Sequence, residues 1–147
     1  MKPQYHVASS ALIAGILYLY FKSWGMALSC LLSGILIDID HIVDYIKAVG
    51  LPFNFMKLYN TVYSKNTIRW NLVLHSWELI FLILIIAWLT NWNPWITGIL
   101  IGFSHHLILD MVFNGIKFRT YFSTWKLKKQ FERETVFPGL AKKKLQD

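Results

Sequence analysis

Eight side chains of the types that bind metal ions lie near the ends of apolar stretches in this chain. His106 and Asp110 are four residues apart, so a helix would place them on one face. Asp38 and His41 are three residues apart and would share a helix face for the same reason. The complete set of candidate metal ligands is His6, Asp38, Asp40, His41, His75, Glu78, His106 and Asp110.

This combination of imidazoles and carboxylates favours a bound divalent cation. A charged side chain inside a bilayer costs at least about 2.5–3.5 kcal/mol on insertion scales, and converging carboxylates also repel one another. A cation supplies the missing positive charge. Nitrogen and oxygen ligands together suit zinc, manganese or iron. The candidates outnumber the ligands of one tetrahedral site, so we expect one or two ions, with zinc preferred.

The composition indicates that these residues belong to membrane helices. The 147-residue chain is 55% hydrophobic and only 16% charged, whereas soluble domains are about 25% charged. The last two of four apolar stretches reach the roughly 20 residues needed to cross a bilayer, and flanking residues can extend the shorter first two. The stretches are Val7–Phe21, Trp24–Ile37, about Leu72–Leu89, and Pro94–Phe113. We predict an all-α bundle of four membrane helices.

The positive charges predict the orientation of this bundle. With four crossings, all but one of the 15 Lys and Arg residues lie on one side, which the positive-inside rule assigns to the cytoplasm. Both termini would then face the cytoplasm at the inner (plasma) membrane. This topology also explains the net charge of +7, so no specific nucleic-acid partner is expected.

Two connections mix aromatic residues with cations, as segments in the lipid headgroup layer do. They are the middle connection, 44–71, and the C-terminal part, which begins "KFRTYFSTWKLKKQF". Such segments contact anionic lipid headgroups, although an ordinary solvated loop is the alternative for each. We therefore divide the chain into a membrane-embedded metal-site bundle, 1–116, and a basic interfacial cytoplasmic tail, 117–147.

In this topology every candidate ligand lies at the cytoplasmic membrane face. The first helix begins near His6, the second ends at 38–41, the third begins with His75 and Glu78, and the fourth ends at 106–110. Helices of a bundle can direct such groups to a common centre. Asp44, Glu78 and His105 remain open between ligand, hydrogen-bond partner of a ligand, and packing or surface residue.

The same residues carry a resemblance to a known family. "DIDH" at 38–41, the early His6 and "SHHLILD" at 104–110 resemble the motifs of the YdjM-like membrane-bound metal-dependent hydrolases. Leu36–Ile37 replaces the Leu-Pro pair usual in that family, and a single histidine, His75, stands where a double-histidine pattern is common. The resemblance spans about residues 5–115 and implies a metal-dependent hydrolase. A more distant likeness is to zinc-dependent phospholipase C.

These observations predict hydrolysis of a lipid ester or phosphoester at the membrane face. The metal would lower the pKa of a water molecule, and Glu78 or Asp40 would act as general base. A metal-binding or metal-transporting protein is the alternative, but transport predicts ionisable residues on both sides of the midplane, and the far half has none. A structural scaffold without metal is a third possibility.

Two smaller features concern helix packing and the single cysteine. Gly98 and Gly102 form a G-x-x-x-G pair, which permits close helix approach either within the chain or in a homo-oligomer. The single Cys30 excludes an internal disulfide. Cleavage of a leader near Cys30 is not expected, because the apolar run continues past it.

Overall fold

The described part of the chain folds into helices. The computed structural model describes residues 3–51, 54, 56, 58, 72–114 and 117–130. Its helices are α1 (Pro3–Phe21), α2 (Trp24–Leu36), α3 (Ile39–Val49), α4 (Trp77–Leu89), α5 (Pro94–Asn114), a 3-10 turn (Phe118–Tyr121) and α6 (Ser123–Lys128). Within these residues there is no strand, which confirms the predicted all-α class.

Helix α2 lies at the centre of the fold, in contact with both α1 and α5. Small residues allow α5 to pack closely on α2: a side chain at Gly98 would collide with the Met26 carbonyl, and one at Gly102 with the Cys30 carbonyl. Both glycines are buried. The G-x-x-x-G pair therefore serves packing within the chain, and α2 and α5 run in the same direction.

The third predicted helix is shorter than expected. Helix α4 begins at Trp77, five residues after Leu72, because Ser76 caps it by accepting a hydrogen bond from the Leu79 N–H. With 13 residues, α4 is about 20 Å long. Residues 72–76 form a non-helical loop, so the predicted helical stretch Leu72–Leu89 is wrong at its start.

Two segments are long and apolar enough to cross a membrane, judged by length and composition. They are Trp24–Lys47, which includes α2, a short turn and most of α3, and Pro94–Asn114, which is α5. Helix α4 is an apolar helix below this length. The described part of the chain thus supports two crossing segments, and four crossings remain a prediction.

Part of the predicted tail is packed against the helices. Tyr121 lies in a buried apolar cluster with Ile37, Ile80 and Leu107, and the Phe118 carbonyl accepts a hydrogen bond from the Trp77 indole at 3.2 Å. The first residues of the tail are thus built into the fold. Residues 131–147 and most of the predicted interfacial connection, including 59–71, lie outside the described residues.

The packing of α5 on α2 predicts that alanine substitutions at two glycines have different effects on stability. Gly102→Ala should destabilise the protein by about 1–3 kcal/mol, because its new methyl group collides with the α2 backbone. Gly15→Ala should be neutral or stabilising, because nothing lies within 4 Å of the added methyl group and alanine favours helix. Thermal unfolding of both variants in detergent measures the difference. Equal stability of the two would contradict the packing role.

Candidate metal centre

Two histidines and two aspartates form the middle of a buried polar cluster. His75 comes from the loop before α4, His106 and Asp110 from α5, and Asp38 from the turn between α2 and α3. Asp38 Oδ1 lies 3.6 Å from His75 Nε2 and 3.4 Å from His106 Nε2. Asp110 Oδ2 lies 3.8 Å and 3.7 Å from the same two nitrogens. Each of the two aspartate oxygens therefore lies within 4 Å of both imidazole nitrogens.

The spacing of these atoms suits a metal ion. Ligands of a tetrahedral zinc ion, each about 2.0–2.2 Å from the metal, are separated from one another by roughly 3.3–3.6 Å. The nitrogen–oxygen distances of 3.4–3.8 Å in the cluster are close to this range. They are also longer than hydrogen bonds, so the imidazoles and carboxylates do not satisfy one another directly.

Two further histidines extend the cluster on opposite sides. His6 Nε2 lies 3.2 Å from Asp110 Oδ1, and the His6 ring stacks on that of His106 with 3.9 Å between centroids. His41 Nε2 lies 3.7 Å from Asp38 Oδ1. Two sets of residues, each with ligand atoms within 4.8 Å of one another, could hold a metal ion: His6, His106 and Asp110, and Asp38, His41 and His75.

Hydrogen bonds on the far side of two rings leave their inner nitrogens available. His106 Nδ1 lies 2.8 Å from the Gly34 carbonyl, which can only accept, so this nitrogen carries the proton. His75 Nδ1 lies 3.3 Å from the Asp40 carboxylate and is protonated for the same reason. The Nε2 atoms of both rings are buried without a hydrogen-bond partner. An unsatisfied buried polar atom is costly, and a cation would satisfy both.

Asp40 lies behind His75 and does not join the central group of ligand atoms. Its Oδ2 accepts hydrogen bonds from the backbone N–H groups of Leu74 and His75 and from His75 Nδ1. Asp44 acts similarly at the start of the loop, where its Oδ2 accepts the Leu72 N–H at 3.2 Å. Both carboxylates thus hold the loop that carries His75.

Glu78 is not brought to the cluster. Its carboxylate accepts hydrogen bonds from the backbone N–H groups of Ser123 and Thr124, at 2.9 and 3.2 Å, and from the Thr124 hydroxyl. The prediction that the third helix begins with His75 and Glu78 is wrong for His75, because His75 precedes Ser76, the residue that caps α4. Among the candidate ligands, Glu78 alone points to another part of the fold.

Lys126 is a residue of the site region that sequence reasoning missed. Its side chain is fully buried, and its Nζ donates hydrogen bonds to the carbonyls of Leu72 and His75 at 2.8 and 2.7 Å. Burial lowers the pKa of Lys126 to about 8, and the negative charges of Asp40 and Glu78 act in the opposite direction. Nothing in the sequence distinguishes it from the neighbouring lysines.

The cluster is closed on one side and open on the other. The side chains of His75 and His106 are 1% and 0% exposed, whereas those of Asp38 and His41 are 29% and 20% exposed. Within the described residues, the cluster is therefore more accessible at Asp38 and His41 than at His75 and His106. His105 is half-buried beside His106, and among the described residues it belongs to neither set that could hold a metal ion.

Comparisons with protein-family models, curated proteins and solved structures find no match for this chain. The resemblance to the YdjM-like hydrolases therefore remains a prediction from the motifs, and the conclusions about the site depend on its geometry alone.

The first prediction for the site contrasts two adjacent histidines. His106→Ala should abolish the rise in melting temperature that added Zn²⁺ produces in the chelator-treated protein, because it removes a central nitrogen. His105→Ala should keep this rise, which for a ligand at 100 times its Kd corresponds to about 2.7 kcal/mol. Thermal unfolding with and without Zn²⁺ measures both. A loss of the same size in the two variants would contradict the assigned geometry.

The second prediction separates a ligand from the residue that orients one. Asp38→Asn should remove most of the metal binding, because Asp38 Oδ1 faces both central nitrogens. Asp40→Asn should weaken binding by about 10–100-fold, since it disturbs the hydrogen bond that orients His75. Competition with a chromophoric chelator gives the affinities. Asp40 would be a direct ligand if its variant lost the metal as completely as Asp38→Asn.

Proposed function

We propose that this protein is a membrane-bound, metal-dependent hydrolase that cleaves an ester or phosphoester of a membrane lipid at the cytoplasmic face. One observation carries the proposal: the Nε2 atoms of His75 and His106 are buried, lack hydrogen-bond partners and face two aspartates. Such a donor set is typical of catalytic metal sites that combine imidazole and carboxylate.

The two separate sets of ligands support a centre for two ions, for which zinc is the preferred metal. His6, His106 and Asp110 would hold the enclosed ion, and Asp38, His41 and His75 the one nearer the opening. When bound there, divalent cations supply Lewis acidity, which lowers the pKa of water and offsets the charge of a phosphoryl oxygen.

The protein's own residues prepare the site for this chemistry. The Gly34 carbonyl and Asp40 bind Nδ1 of the two central imidazoles, so that Nε2 of each neutral ring would be free to bind a metal ion. Asp40 is occupied by three donors and Glu78 by the start of α6. Both general bases that the sequence suggested are therefore engaged in hydrogen bonds in this structure.

The surroundings of the opening support an amphiphilic substrate. Large apolar side chains of the neighbouring segment, Leu36, Ile39 and Val43, are 42–56% exposed. Both candidate membrane-crossing segments carry ligands in their C-terminal halves, at 38–41 and 106–110. Four crossings, including α1 and α4, with the termini in the cytoplasm would place this opening beside the lipid headgroups, where an ester or phosphoester bond lies.

A metal-binding protein without turnover is the second candidate. The complete burial of His106 and the near-complete burial of His75 favour it, because structural metal sites are closed. The partial exposure of Asp38 and His41 favours the hydrolase. The two candidates differ in whether the metal-loaded protein hydrolyses a substrate.

The hydrolase proposal predicts metal-dependent cleavage of lipids. The full chain in detergent, loaded with Zn²⁺ or Mn²⁺, should release labelled product from phospholipids in mixed micelles, and a chelator should stop the release. Asp38→Asn should lower kcat by at least about 100-fold because a group at the reaction centre is lost. His105→Ala serves as the matched control with near-normal turnover. Stoichiometric metal without turnover of any lipid ester or phosphoester would leave the metal-binding candidate.

A further inference from the structure

Lys126 is buried where a lysine is unexpected. It belongs to α6, in which Lys128 is exposed, yet its own side chain is 0% exposed. Lysine is almost never fully buried without partners. Here the ammonium group has two, the carbonyl oxygens of Leu72 and His75, and it also lies 5.9 Å from the centroid of the Tyr121 ring.

The two carbonyls belong to the loop that presents His75 to the metal centre. Residues 72–76 make no helix of their own, and Leu72 has a positive φ of 37°. The N–H groups of the loop are bound by Asp44 and Asp40. Lys126 binds carbonyl oxygens at both ends of the same segment. The loop is therefore fixed from two opposite sides by side chains distant in sequence.

Helix α6 is itself attached next to this loop. Glu78, in the first turn of α4, accepts hydrogen bonds from the N–H groups of Ser123 and Thr124 at the start of α6. This contact fixes the helix three residues before Lys126. A continuous series of hydrogen bonds thus runs from α4 through α6 and Lys126 to the backbone of His75, whose ring faces Asp38 and Asp110.

We propose that Lys126 is a positioning residue that holds His75 in its metal-binding orientation, so that the segment after the last long helix is part of the metal centre. The Lys126 ammonium fixes the His75 carbonyl, Asp40 fixes its N–H and its Nδ1, and Nε2 is left facing the centre. The proposal rests on the proposed metal site for its functional consequence, whereas the position of His75 can be measured without metal.

The first experiment measures Zn²⁺ affinity of the full chain in detergent by competition with a chromophoric chelator. Lys126→Met should weaken binding by about 10–100-fold, as for other residues that orient ligands. Lys128→Met, on the same helix but exposed, should bind as tightly as the wild type. Lys126→Arg keeps a charged donor for the carbonyls and should recover part of the affinity. Cobalt-loaded Lys126→Met should show an altered visible spectrum, which a loss of stability alone would not produce.

The second experiment uses metal-free protein and the histidine reagent diethyl pyrocarbonate, with modified sites mapped by mass spectrometry. His75 is buried and should react slowly in the wild type, and several-fold faster in Lys126→Met, whereas His41 should react equally in both. If wild-type protein binds no metal but His75 still becomes reactive in the variant, the hydrolase proposal fails and the positioning role stands.

Unchanged Zn²⁺ affinity together with unchanged His75 reactivity in Lys126→Met would overturn the positioning role. If Lys126→Met does not fold, Lys126→Gln decides, because its shorter amide cannot reach both carbonyls. A folded Lys126→Gln with wild-type affinity and wild-type His75 reactivity would overturn the proposal equally. Reduced affinity with faster labelling of His75 would support it.

Discussion

The site depends on one constraint, which is that two buried imidazoles each have an inner nitrogen without a hydrogen-bond partner. His106 and His75 each donate a hydrogen bond from Nδ1 to an oxygen outside the centre. The Nε2 atom of each ring faces carboxylates at distances longer than a hydrogen bond. Helix α5, the turn between α2 and α3, and the loop before α4 supply these groups. Removing water from so many polar atoms is unfavourable unless something else binds them. A cation is the simplest partner that satisfies nitrogens and oxygens together.

The sequence predicted the parts of the site that depend on helical periodicity. His106 and Asp110 face the same point because a long helix keeps its phase, and Asp38 and His41 make contact across the start of α3. The early histidine, His6, joins the cluster because α1 packs against α5, which brings His6 next to Asp110. The apolar composition likewise predicted the all-helical class, and two of the four predicted crossing segments are long and apolar enough to cross a membrane.

The remaining parts depend on tertiary contacts that spacing does not encode. The signal for the start of α4 was present, since Ser76 is a favourable capping residue, but the apolar run before it obscured the boundary. Because α4 begins later than predicted, His75 lies in the preceding loop, and the Glu78 side chain binds the start of α6. Lys126 had no signal, because a lysine that binds backbone carbonyls looks in sequence like any solvated lysine of a basic segment.

The short length of α4 has a consequence for the lipids around it. At about 20 Å it falls short of a hydrocarbon layer about 30 Å thick. In the proposed membrane setting, such hydrophobic mismatch is relieved by local thinning of the bilayer. Because the polar loop with His75 precedes this helix, thinning there would bring lipid phosphate groups closer to the proposed site. Substrate delivery would then follow from the shape of the bilayer as much as from binding.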